Sequence, residues 1–121
     1  MKLREEFTCP LELTHDMIKG KWKTIILWRL RLGKTSLSKL KKDIDGITQK
    51  MLLEHLSDLV RYGFVEKETA DGYPLSVRYS LTEERGQQIL EALKIMQRLG
   101  IIYLKACGME QTLIDKNVVA E

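Results

Sequence analysis

The hydrophobic period of this chain changes twice along its length. From Trp22 to about Arg61 apolar residues recur at spacings of three and four, from Ser76 to Leu81 they alternate, and from Thr82 to about 106 the helical spacing returns. A period near 3.6 places side chains on one face of a helix and a period of two on one face of a strand, so neither pattern serves the other element. The chain is thereby restricted to a mainly α fold with one small β-hairpin, an α+β class. At 121 residues it sits near the commonest single-domain size, and one domain over 1–121 is expected, with its core at about 9–105 and a C-terminal tail at 109–121.

Local signals divide the helical stretches. A first helix over about 11–19 is closed by Gly20, and a second carries Trp22, Ile25, Ile26, Leu27, Trp28, Leu30 and Leu32 up to Gly33. This second helix is expected to be the most buried, with both tryptophans in the core. Ser36 is an N-cap for a third helix that turns Leu37, Leu40 and Ile44 inward and Lys39, Lys41 and Lys42 outward, ending at Asp45-Gly46. Thr48 caps a fourth over about 49–61, on which Leu52, Leu53, Leu56, Leu59 and Val60 share one side and Lys50, Glu54, Ser57, Asp58 and Arg61 the other; Gln49 falls nearer the apolar side. Strands are predicted at 64–69 and 76–81 around the turn-rich Asp71-Gly72-Tyr73-Pro74. Thr82-Glu83-Glu84 opens a long last helix with acids in its first turn, and its apolar residues exceed what one small domain can cover, which points to a subunit interface.

Charge is the functional signal. Between Lys19 and Lys50 ten basic residues face only Asp43 and Asp45, a net +8, while the rest of the chain sums to −5. Such a block raises phosphate affinity through counterion release, making nucleic acid the leading partner, although charge alone fits a merely solvated face equally well. Other classes are excluded by what the sequence lacks. There is no unbroken apolar run of membrane-spanning length and no signal core, so a cytoplasmic, nucleoid-associated protein is expected. Cys9 and Cys107 are too few and too distant for a disulfide framework or zinc finger, and His15 and His55 pair with neither at ligand spacing; no metal or cofactor is expected. Without a Cys-x-x-Cys, a phosphate loop, a zinc-binding His-Glu motif or a serine elbow, the chain is not expected to be an enzyme.

Three helices, a hairpin and a long helix, with the basic block on the second to fourth helices, is the order of a winged helix-turn-helix. Asp45-Gly46 then forms the turn, the fourth helix is the recognition helix, and the hairpin is a wing whose tip, Asp71 to Leu75, has Arg78 as its nearest cation. Within this order Cys9-Pro10, Gly20-Lys21-Trp22-Lys23 before an Ile-Leu-Trp run, Gly46-Ile47-Thr48-Gln49-Lys50-Met51-Leu52 and Tyr79-Ser80-Leu81-Thr82 resemble the HxlR-type winged-helix transcription regulators, over roughly residues 9–105. The resemblance implies a sequence-specific homodimer that offers one recognition helix per subunit to a pseudo-palindromic operator through a long C-terminal dimerisation helix. It marks Thr48, Gln49 and Lys50 as the DNA-facing start of that helix. Ser36, Ser57 and Ser76 stand where family members often carry basic residues, so an operator sequence does not transfer.

The expected DNA-facing set is therefore Thr48, Gln49, Lys50 and Glu54, with Ser36, Lys39 and Lys42 on the third helix and Arg78 on the wing. Glu54 is read as an acceptor for cytosine N4 and Asp58 as a solvated pair for Arg61. His55 is either a surface histidine or a base contact, and Tyr73 either meets a phosphate or is simply exposed. The resemblance also implies a thiol switch at Cys9, where a helix N-terminus and Arg4 would favour the thiolate and Cys107 of the other subunit could form a crosslink. A small-molecule or oxidant effector fits that reading. Against it stands Cys9 as a small buried apolar residue. A winged-helix protein-interaction module without specific DNA binding is the alternative function, and the +8 block opposes it.

Overall fold

A computed structural model describes residues 3–70, 72 and 76–116. The chain runs α1 (Leu11–Ile18), α2 (Trp22–Leu30), β1 (Thr35–Ser36), α3 (Leu37–Asp43), α4 (Gln49–Arg61), β2 (Val65–Ala70), β3 (Ser76–Leu81), α5 (Arg85–Ala106) and α6 (Glu110–Asp115). The predicted hairpin is present, its first strand shifted by one residue, with antiparallel register from Val65 opposite Leu81 to Ala70 opposite Ser76. A third strand was not expected: Thr35 and Ser36 pair with Tyr79 and Arg78, giving the order β1-β3-β2. Two residues are too few to show a period, and only the partner strand makes them a strand.

The helix-turn-helix forms where its caps are. Ser36 Oγ accepts the amide of Lys39 at 3.2 Å at the start of α3, and Thr48 Oγ1 accepts that of Met51 at 3.1 Å at the start of α4. Each satisfies one orphan donor of a first turn. Between the helices Gly46 has φ +89°, a left-handed conformation in which a side chain would be strained. Beneath them Ile26, Leu27 and Leu30 of α2 join Leu40, Leu52, Leu56 and Leu59 in a fully buried core.

Several sequence expectations need correction. The second helix stops at Leu30, so Leu32 lies beyond it and is exposed, as is Ile25. Trp22 and Trp28 are half-buried at the rim of the core, because a wide indole on a short helix covers the core from the side. Leu53 and Val60 sit at the edges of the apolar face of α4 and are exposed. The last helix begins at Arg85, leaving Glu83 and Glu84 ahead of its first turn, where Glu84 provides no side-chain cap. Thr82 does that work: its hydroxyl donates to the Gly63 carbonyl and accepts the Gly86 amide, both at 2.7 Å. Gly86 fits closely, since a Cβ there would stand 2.6 Å from the Phe64 carbonyl oxygen. Further along α5, Ile89, Leu90 and Leu93 are buried while Ile95, Met96, Leu99, Ile102 and Tyr103 are exposed. The tail contributes α6, which packs on α5 and buries Leu113.

Candidate nucleic-acid interface

The polar side of α4 faces solvent with Gln49, Lys50, Glu54 and Ser57 exposed, and Thr48 is exposed at its cap. The wheel placed Gln49 toward the core, but at the first position of a helix no earlier turn lies beneath the side chain, and Gln49 lines a groove instead. That groove also takes Ser36, Leu37, Ser38 and Lys41 from the β1–α3 segment and Ser76 and Val77 from β3. Lys39 and Lys42 are exposed on α3, and Arg78 is exposed on β3 opposite Ser36 and Glu68. Of the candidate residues, Ser36 and Gln49 line this groove together, while Thr48, Lys50, Glu54, Lys39, Lys42 and Arg78 are exposed outside its lining. Asp71, Tyr73, Pro74 and Leu75 at the wing tip lie outside the described residues, so the reading of Tyr73 has no structural counterpart here.

The ten cations of the basic block are not equivalent. Arg29 holds Asp43 with Nε at 2.8 Å, and Lys39 reaches the same carboxylate at 2.9 Å. Lys39 and Arg29 together hold the Asp43 carboxyl below its usual range. Lys34 pairs with Glu68, and Lys19 lies 3.9 Å from Asp16. Arg31 covers the Trp28 ring and Lys21 the Trp22 ring, at 4.4 and 4.5 Å from the centroids. Lys23 is inside the protein, 3% exposed, with its ammonium 3.2 Å from Asp58. Among the described residues Lys41, Lys42 and Lys50 are the members of the block that meet neither a carboxylate nor a ring. Lys41 lines the groove, Lys50 lies in the first turn of α4, and Lys42 is exposed on α3.

Lys23 and Asp58 are also the residues the sequence reading misplaced. Asp58 does pair with Arg61, but it is largely buried and bonds Lys23, and that ammonium helps hold its carboxyl low against the opposing effect of burial. The signal was present: Lys23 shares a helical face with Ile26, Leu27 and Leu30, the three residues of α2 that are most buried. His55 is half-buried, with Nδ1 3.1 Å from Lys23 Nζ, a partner the sequence reading did not foresee.

The N-terminal cluster differs from expectation as well. Cys9 and Cys107 are both exposed thiols, which removes the buried-apolar reading of Cys9. Arg4 is occupied, with Nε and Nη2 on Asp16 at 2.6 and 2.8 Å and Nη1 on Glu12 at 3.0 Å. Glu12 in turn accepts the amides of Cys9 and Thr8, which pull its carboxyl below the usual range. The cation and helix-terminal amides once assigned to the Cys9 thiolate thus serve two carboxylates.

Comparison with known proteins bears on this arrangement. The profile of HxlR-like helix-turn-helix proteins matches residues 17–107. MalR of Fusobacterium mortiferum, named as a regulatory protein, is 35% identical over 101 residues, 83% of this chain and 94% of its own. YkvN of Bacillus subtilis, named as an uncharacterized HTH-type transcriptional regulator, is 40% identical over 79 residues, 65% of this chain and 67% of its own. Among solved structures the redox regulator HypR in its reduced form superposes with a TM-score of 0.72 at 34% identity, covering 76% of this chain and 90% of that one. These relatives are regulators and not enzymes, and their fold is the winged helix derived above. With three quarters of its length under the profile and the two capped helices, hairpin and long last helix in their places, the chain belongs to the HxlR-like helix-turn-helix family.

Proposed function

We propose that the protein is a sequence-specific DNA-binding transcriptional regulator that works as a homodimer on a pseudo-palindromic operator. The observation that carries this reading is where the three unengaged lysines fall on the helix-turn-helix: Lys50 lies in the first turn of α4, whose outer face is polar, Lys41 lines the groove beside Gln49, and Lys42 is exposed on α3. The start of α4 enters the major groove, where Gln49 and Lys50 meet base edges, Thr48 lies beside the backbone and Glu54 accepts from cytosine N4. Ser36, Lys39 and Lys42 contact phosphates from α3, and Arg78 does so from the wing. The exposed apolar part of α5 pairs with a second copy, setting the two recognition helices about one duplex turn, roughly 34–36 Å, apart. Residues 1–121 act as one unit in this scheme, in the cytoplasm at the nucleoid where an operator is found.

A thiol switch is part of the proposal. Its support is the exposure of both sulfurs and the name of the HypR relative. In it Cys9 and Cys107 of the partner subunit give up two protons and two electrons to an oxidant and form one S–S bond. The decisive experiment is selection of bound duplexes from a random DNA library by the purified protein. Two inverted half-sites spaced by about 10–10.5 base pairs are expected. Salt-sensitive binding with no enriched sequence refutes the operator reading and favours a protein-interaction module.

A further inference from the structure

The underside of α4 carries a feature that an apolar core does not require. Lys23, the second residue of α2, brings a buried ammonium to Asp58 Oδ2 at 3.2 Å and His55 Nδ1 at 3.1 Å. Burying an ammonium is costly, and an apolar side chain of similar volume often serves stability as well or better. Orientation is what the cluster adds. The packing of Leu52, Leu56 and Leu59 is non-directional, whereas charge-assisted hydrogen bonds fix angle as well as distance. His55 and Asp58, three residues apart, stand one turn apart on α4, beside the outer face that bears Lys50, Glu54 and Ser57.

We infer that Lys23 is a positioning residue for DNA recognition: by holding His55 and Asp58 from below, it sets the rotation of α4 about its own axis and hence the direction of the Lys50–Glu54–Ser57 face. This rests on the proposed function, in which that face meets the bases. His55 gives the clamp a distinguishing property. The charged groups facing its ring are Lys23 from α2 and Glu54 and Asp58 from its own helix. Burial, aided by Lys23, holds the imidazole below its ordinary range, so that Nδ1 is free to accept from the ammonium. Protonation turns that acceptor into a donor facing another donor and opens this arm of the clamp.

The test measures affinity by fluorescence anisotropy for two duplexes, one selected by the wild-type protein and one of the same composition in shuffled order. Lys23→Met is expected to lower the selected-to-shuffled affinity ratio about tenfold while leaving shuffled binding unchanged. In the wild type the same ratio holds at about pH 7.5 and falls on acidification below about pH 6.5, the ordinary imidazole value, as His55 takes up its proton. His55→Gln, which keeps an acceptor but does not titrate, holds the ratio steady. A ratio untouched by Lys23→Met overturns the inference. In the free wild-type protein the amide resonances of Lys50 and Glu54 are expected to shift along the His55 titration curve, a readout that needs neither a variant nor an operator. Resonances indifferent to that titration overturn the inference too. If no duplex is selected, the operator reading fails, and the resonance measurement still decides whether the clamp orients α4.

Discussion

Helices α4 and α5 are both amphipathic, and they leave opposite kinds of surface uncovered. On α4 the core takes Leu52, Leu56 and Leu59, and what remains outside is chiefly polar and charged around Lys50 and Glu54. On α5 the core takes Ile89, Leu90 and Leu93, and what remains beyond them includes Ile95, Met96, Leu99, Ile102 and Tyr103. Uncovered charge matches a phosphate backbone, whereas a contiguous uncovered apolar face matches protein. Under the proposed function this difference gives the two helices different partners, DNA for α4 and a second copy for α5.

The strongest way to break this contrast is to put charge on the apolar side. Leu99→Asp with Ile102→Asp is expected to give a monomer by analytical ultracentrifugation that keeps its helical circular dichroism and loses about 10²-fold or more in operator affinity through lost bivalency. A wild-type protein that sediments as a monomer removes the assignment of α5. On the polar side, Lys50→Ala should cost about 1–3 kcal/mol on the selected operator if it reads a guanine, and much less on shuffled DNA. Equal losses on both would make Lys50 a phosphate contact. Weaker again is the cap of the same helix: Thr48→Ala is expected to lower unfolding stability by about 1 kcal/mol, read by denaturant titration.

The smallest effect is the pH response beneath α4. Because the folded state disfavours protonated His55, the unfolded chain binds the extra proton, and stability rises with pH across that window. Thermal unfolding should therefore show stability present above about pH 6.5 and declining as pH falls below it toward the folded-state value. Glu12, Asp16 and Asp43, whose carboxyls are held low by their partners, lose their contributions only at more acid pH, as each falls from its ordinary range through its folded value. A His55→Gln variant that retains the same decline between pH 6.5 and 5.5 would show that another group is responsible.

The parts of this molecule that were legible in the sequence are those written by local chemistry. Ser36 and Thr48 announce their helices because a capping hydroxyl acts over three residues, and the α4 and hairpin periods are visible within a dozen positions. What escaped depends on distant partners. Asp58 read as a solvated neighbour of Arg61 because a helical wheel cannot show Lys23, thirty-five residues earlier, arriving from another helix. Net charge likewise counted Arg29 and Lys23 as available, although tertiary pairing had already assigned them to Asp43 and Asp58. Arg4, Glu12 and Asp16 form their cluster only once α1 has folded beside the N-terminal segment.

The close fit at Gly86 has a mechanical consequence. With no room for even a methyl group between Gly86 and Phe64, and with the Thr82 hydroxyl tying both sides, the base of the wing and the root of α5 are joined without a hinge. Twenty-two residues of helix make a rod of about 33 Å. Leverage runs both ways along such a rod: a tilt of roughly 10° at its root sweeps the far end, where Cys107 sits, through about 6 Å, and a displacement imposed there returns to the wing as rotation. Events at the tail of the long helix are thereby geared to the angle at which the wing is presented.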